Sequence, residues 1–327
     1  MSSWKGKQTT GAFIPPLRNP ATGSANPAAS LSSLWAYITP ALDHIVKSSA
    51  NNTAKAPAID VDFYAGVHSA CYNYITSQTE TYNTSSRHDI PMSGMDLYDQ
   101  IDRYFADAAR ELLLGAPQED SNLIHYIIPC FNRYSVGAQS ANRLLNYVNR
   151  HYVKRAVDED KGWLTISDAL EHVAKTAKLT DAREQLAKKL REKRADELRK
   201  WGDIEANPEA LMEAEACAEA ASPVDRIVHI SALAHRRFRL EVIEPLLAVP
   251  KFKKKGTKKI PKSKGTGPPP GPKGRLARAV KELLESSEIE EEERTRLASE
   301  LATMLRKVGV RPDHPLRKKL SKNPISA

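Results

Sequence analysis

Apolar residues return every three or four positions through most of this chain, and strict apolar–polar alternation is rare. That period belongs to one face of an α-helix and not to a half-buried strand. Leu34, Trp35, Ile38, Leu42 and Ile45 keep it between residues 31 and 48, with Pro40 placed either to start a helix or to kink one. Tyr64, Val67, His68, Cys71, Tyr72 and Ile75 predict a second helix over 61–78. A third opens near Ser93, a suitable N-cap, carries Leu97, Ile101, Tyr104, Phe105, Ala108 and Leu112, and ends at Gly115 and Pro117. The fourth is long. Its seam runs from Leu123 through Phe131, Tyr134, Ala141 and Val148 to Tyr152. About thirty residues at 1.5 Å each make roughly 45 Å of helix. Pro129 should kink it or break it near its start.

The pattern restarts after Gly162. Asp168-x-x-Glu171 and Asp181-x-x-Glu184 resemble helix starts, and residues 181–201 carry a thin apolar side of Leu186, Leu190, Leu198 and Trp201. Pro208 opens an Ala/Glu-rich helix to about Ala221. Ser222-Pro223 is expected to open another, with Ile227, Val228, Ile230, Leu233, Phe238 and Val242 as its stripe and Pro245 as its limit. Two short stripes follow residue 275, marked by Leu276, Val280 and Leu283, and by Leu297, Leu301, Met304 and Leu305. The chain therefore reads as all-α, with a long central helix.

The segments between and beyond these stripes set the expected organisation. Residues 1–30, rich in Pro, Gly, Ser, Thr and Asn, read as a disordered arm. Residues 31–170 form the main helical bundle, and 171–249 add further helices. Residues 250–274, Lys-rich and then Gly-Pro-Pro-Pro-Gly-Pro, read as a flexible basic linker. A small helical hairpin over 275–310 and a frayed basic tail over 311–327 complete the chain.

Charge changes the picture less than its total suggests. Residues 251–264 hold eight lysines and no acid, which accounts for nearly all of the formal charge of +9. The basicity is local and not a nucleic-acid-binding face spread over a domain. That run reads as a solvated linker or a nuclear-import address. With Phe252 as its one aromatic, it is poorly built for base stacking. Cys71, Cys130 and Cys217 lie far apart within helical patterns and read as buried free thiols in a reducing compartment. The first residues, Met-Ser-Ser-Trp-Lys-Gly-Lys, lack the apolar stretch of a signal peptide, and no run of 18 apolar residues suggests a membrane span. These features place the chain in the cytoplasm, the nucleus or both.

Catalytic chemistry has no foothold in the sequence. It contains no Gly-rich phosphate cradle, no C-x-x-C pair and no H-E-x-x-H. Along a straight helix His151 lies about six turns from Cys130, too far for a dyad. The acidic run Glu290–Glu293 reads as a solvated helix face. No enzyme site, no metal and no cofactor is expected.

One motif has a definite shape. Tyr147-Val-Asn-Arg-His-Tyr-Val-Lys-Arg155, followed by Asp158-Glu159, resembles the end of the long helix in the N-terminal region of cullins, the scaffolds of multisubunit ubiquitin ligases. Phe63-Tyr-Ala-Gly-Val-His-Ser-Ala-Cys-Tyr-Asn-Tyr-Ile-Thr-Ser77 resembles the cullin second helix. Gly94-Met-Asp-Leu-Tyr98 resembles the opening of the third, and Phe131-Asn-Arg-Tyr134 with Asn142 resembles the fourth. The pieces stand in family order over roughly residues 31–170.

The resemblance implies a stalk of five-helix cullin repeats, whose first repeat docks a BTB-fold adaptor through its second and fifth helices. It assigns Tyr64, Val67 and His68 to that face. His68 departs from the aromatic residue usual there, and each of the three also fits a place in the bundle core, Val67 and Cys71 most readily. Asn149, Arg150 and His151 are expected to hold the bundle together by bonding an adjacent loop. The family's fifth helix, with its Trp, is not recognisable after Asp158-Glu159. Nothing downstream resembles the cullin homology segment, the winged helix or the modified lysine, so RING recruitment is not supported and a truncated or diverged cullin-like protein is expected. The function implied is a non-catalytic interaction scaffold. The alternative is a basic helical protein that associates with nucleic acid through Lys251–Lys264.

Overall fold

Each apolar stripe carries helix over most of its length. The computed structural model describes residues 15–19, 26–48, 55–83, 92–174, 183–249, 274–286 and 289–321. The expected arm, except residues 15–19 and 26–30, and the expected lysine- and proline-rich linker lie outside these residues, as does Asp181. Among the described residues there is no β-strand. One isolated bridge joins Leu17 to Ile59, with Leu17 N–H donating to the Ala58 carbonyl at 3.0 Å and Asp60 N–H to the Leu17 carbonyl at 2.8 Å.

Helix α1 (Leu31–Leu42) starts where the Ser30 hydroxyl accepts from Ser33 N–H. It passes through Pro40 and widens into a π-turn, Asp43–Lys47. Helix α2 (Val61–Asn83) follows, then α3 (Met95–Leu114). The cap of α3 is Gly94 at φ +89°, not Ser93. Ser93 is buried and its hydroxyl pairs with that of Thr79 at 2.9 Å. The left-handed backbone at 94 favours glycine, whose N–H is held by Gln78 Oε1 at 2.8 Å.

The long helical run is segmented. Helix α4 (Leu123–Leu144) runs unbroken past Pro129, where a kink or a break was expected. It breaks instead at Leu145 (φ −98°, ψ 24°), and resumes as α5 (Asn146–Val148), a π-turn (Asn149–Val153) and α6 (Lys154–Asp158). Where this run is crossed by the π-turn after α1, Gly137 is required. A Cβ there would lie 2.6 Å from the Ile45 carbonyl oxygen.

Helices α7 (Ile166–Ala174), α8 (Arg183–Arg199) and α9 (Pro208–Ala221) come next. The start of α7 is set by Thr165 and Asp168, each side chain accepting the other's N–H at 3.1 Å. The pairing of Asp168 with Glu171 read from sequence is thus replaced by a capping box three residues earlier. Helix α10 (Ile230–Phe238) begins later than the Ser222-Pro223 signal suggested. Residues 223–229 stay open because the Arg236 guanidinium takes the Pro223 and Arg226 carbonyls, each at 2.8 Å. A π-turn (Arg239–Ile243) then leads into α11 (Glu244–Leu247), with Pro245 inside the run and not at its limit.

Helix α10 is the centre of the molecule. It packs on α3, α4 and α9 together. The buried Tyr98 hydroxyl donates to the Val228 carbonyl (2.9 Å) and accepts from Val228 N–H (3.1 Å), and the Tyr134 hydroxyl reaches the Ala234 carbonyl at 3.1 Å. The bundle begun by residues 31–170 is therefore closed by residues 228–247, across the boundary drawn at 170. Helices α12 (Arg275–Glu285) and α13 (Glu291–Lys307) pack on each other and on α4. Arg275 and Arg278 both bond the Asp120 carboxylate, at 3.2 and 2.7 Å. One hydrophobic core runs from Leu34 to Leu320. A small satellite groups Leu198, Trp201, Ala214, Cys217 and Ala218. The tail is not frayed over its described part, because α14 (Pro315–Ser321) buries Leu316 and Leu320 one turn apart against α13.

Candidate functional site

Helix α2 has two apolar rows. Phe63, Val67, Ala70, Cys71 and Tyr74 point into the core, where Phe63 meets Tyr37 edge-on at 5.2 Å. Tyr64, His68 and Tyr72, spaced by four, stand on the neighbouring row and reach solvent, with Tyr64 41% and Tyr72 48% exposed. Between α2 and the end of the long helical run sits Tyr147 of α5, only 7% exposed. His68 and Tyr72 meet its ring edge-on, with centroids 5.6 and 5.4 Å away. His151 lies flat against Tyr147 at 3.9 Å and 22°. At the other end of the row the Tyr64 hydroxyl donates to the Arg143 carbonyl at 2.8 Å. Five rings thus line one seam between two helices, each fixed by packing or by a hydrogen bond before any partner arrives. Such rigidity lowers the ordering cost of binding.

No Asp or Glu occurs over residues 63–79 or 121–157. The His151 pKa is lowered by burial first, then by Arg150 and His68, so the stacked imidazole is neutral at physiological pH.

The residues singled out from sequence fare differently. Tyr64 and His68 are on the exposed row. Val67 is not: it is wholly buried in the core, the place it also fitted from sequence. The Asn149-Arg150-His151 set divides. Asn149 is buried and structural. Its amide N–H donates to Asn142 Oδ1 at 2.9 Å, and its own Oδ1 accepts Ile230 N–H at 3.1 Å, while Asn142 Oδ1 accepts Ser231 N–H at 3.2 Å. The two asparagines cap α10. Arg150 and His151 face solvent and bond no loop among the described residues, because the π-turn that points Asn149 inward turns them out. Tyr72 and Tyr147 belong to the seam and were missed. The four-residue spacing from Tyr64 through His68 was a signal for Tyr72, and nothing local marked Tyr147.

Elsewhere, a cleft of about 540 Å³ opens between Trp163, Trp201, Pro223 and Pro312, with charges of both signs on its rim. Among the described residues no group of three or more His, Cys, Asp or Glu is placed to hold a metal ion. No described helix is long and apolar enough to cross a membrane.

Comparison with known proteins gives one partial likeness. The chain is 21% identical over 141 residues to Cell division control protein 53 of Saccharomyces cerevisiae, a match covering 40% of this chain and 17% of the yeast protein. The chain thus spans about one sixth of that relative's length. No family model matches, and no solved structure matches.

Proposed function

We propose that this protein is a non-catalytic interaction scaffold of the cullin kind, and that the seam of Tyr64, His68, Tyr72, Tyr147 and His151 docks a BTB-fold adaptor of a ubiquitin ligase. Three supports converge. Residues 63–77, which supply one wall of the seam, resemble the cullin second helix. The partial likeness to a yeast cullin points to the same family. The observation that carries the reading is the stack itself. Partly exposed aromatic rings, held rigid between two helices and joined by no acidic side chain, are the usual anchors of a helix-face interface.

Titration calorimetry with a purified BTB-fold adaptor tests this. Tyr72→Ala removes an exposed ring from the seam and is expected to weaken binding by about 2 kcal/mol, roughly thirtyfold. Its thermal midpoint should stay near that of the wild type, since the ring is half in solvent. Lack of binding by the wild-type protein at tens of micromolar would remove the proposal.

A further inference from the structure

The helical run that carries Tyr147 and His151 also carries three cations. Arg143, Arg150 and Lys154 are all exposed. Among the described residues the Arg143 guanidinium bonds a neutral group, Ser140 Oγ at 2.9 Å. Arg150 lies close enough to His151 to lower its pKa. Among the described residues neither Arg150 nor Lys154 has an ion-pair partner. Several other cations on the surface are paired. Arg155, next to Lys154, pairs with Glu159, and Arg110, Arg199 and Arg296 each pair with two carboxylates. Carboxylates are plentiful on this molecule, yet none occurs over residues 63–79 or 121–157.

We propose that this face selects an acidic polypeptide surface: an apolar side chain seated among the five rings, with Asp or Glu around it meeting Arg143, Arg150 and Lys154. The inference rests on the docking role given to the seam above and specifies the chemistry of its partner. Unpaired like charges around an apolar centre add little to the free protein. They attract a partner of opposite sign, speed its approach and reject partners with a basic rim. A single-stranded nucleic acid also combines negative charge with flat rings, but the seam is poorly shaped for it. Base stacking needs an open ring face. Tyr147 is buried beneath His151, and His68 and Tyr72 meet it edge-on, so the rings do not form one open platform for bases.

The test uses the full chain in two variants. Arg143→Glu with Arg150→Glu reverses the rim. The second replaces the eight lysines of residues 251–264 by Gln, which removes the other basic segment. Three probes are offered by fluorescence anisotropy: a helical peptide with a leucine face flanked by Glu, its twin flanked by Lys, and an oligothymidylate. The purified adaptor is titrated in parallel. The Glu-flanked peptide should bind at least about tenfold tighter than the Lys-flanked one, lose that preference in the rim variant, and keep it in the lysine-replaced chain. Adaptor affinity should fall about tenfold in the rim variant and decline with added salt. Adaptor binding that ignores both salt and rim reversal would overturn the acidic-partner inference and leave the docking role intact. A silent adaptor with a selective Glu-flanked peptide would do the opposite. Equal binding of the two peptides, or displacement by oligothymidylate in the lysine-replaced chain, would also overturn the inference.

Discussion

Replacing Asn149 by Ala should damage the fold well beyond its own helix. Asn149 Oδ1 is the acceptor for Ile230 N–H at 3.1 Å, and Ile230 is wholly buried, so water cannot replace the lost partner. An unsatisfied buried donor costs about 1–3 kcal/mol. The substitution also frees Asn142, whose carbonyl oxygen is held toward Ser231 N–H by the Asn149 amide at 2.9 Å. Loosening that second cap adds about 1 kcal/mol. The expected destabilisation is therefore about 2–4 kcal/mol, reported by urea unfolding followed by circular dichroism. Arg150→Ala, one residue on and exposed, is the control and should stay within about 0.5 kcal/mol of wild type. If Asn149→Ala matched its control, the two asparagines would not be capping α10, and the closure of the bundle by residues 228–247 would need another cause.

Four further outcomes are expected. Gly137→Ala would push a Cβ to within 2.6 Å of the Ile45 carbonyl oxygen and 2.9 Å of Val46 Cα, so its melting temperature should drop by the equivalent of about 1–3 kcal/mol; an unchanged melt would refute the close crossing. His235, buried against Phe131 and bonded to Ser135, has its pKa pushed down to about 4 from 6.5, chiefly by burial. The unfolded chain therefore takes up that proton first, and stability complete above pH 6.5 should be lost toward pH 4, by about 3 kcal/mol in all, with the slope reduced in His235→Gln. His229 is shifted the other way by its bond to Glu219, so its contribution is present below pH 6.5 and fades as pH rises through its folded pKa; His229→Gln should flatten that alkaline side. All three cysteines are free and buried, with burial raising Cys71 to about 12 and Cys217 to about 11, so a disulfide reagent should react slowly with the native protein and rapidly with three thiols in denaturant.

Helix existence was legible because the 3.6-residue period survives wherever a helix has one buried face. The orientation of α2 was not. Tyr64, Val67, His68 and Cys71 are spaced by three and four, yet they fall on two adjacent rows, and when both rows are apolar the period alone does not say which one meets the core. The place of α10 was hidden for a different reason. Its caps lie at Asn142 and Asn149, and its buried hydroxyl partners at Tyr98 and Tyr134, all distant in sequence. Local signals such as Ser222-Pro223 were outweighed by Arg236, which holds the following loop open through its carbonyls. The π-turns carry no sequence period, so the turning of Asn149 inward and of Arg150 and His151 outward emerged only with the backbone. The short α14 rests on just two leucines, too few to stand out in a basic tail. For the seam, Tyr64 and His68 were readable from their likeness to a known helix, while Tyr147 became visible only through the rings packed around it.

Hydrogen exchange of the full chain, with and without saturating BTB-fold adaptor, tests the docking claim most directly. The account expects slowed exchange over residues 61–76 and 143–154 and little change in α8, α12 and α13. Protection confined to other elements, such as those around Trp163 and Trp201, or no protection anywhere, would contradict it.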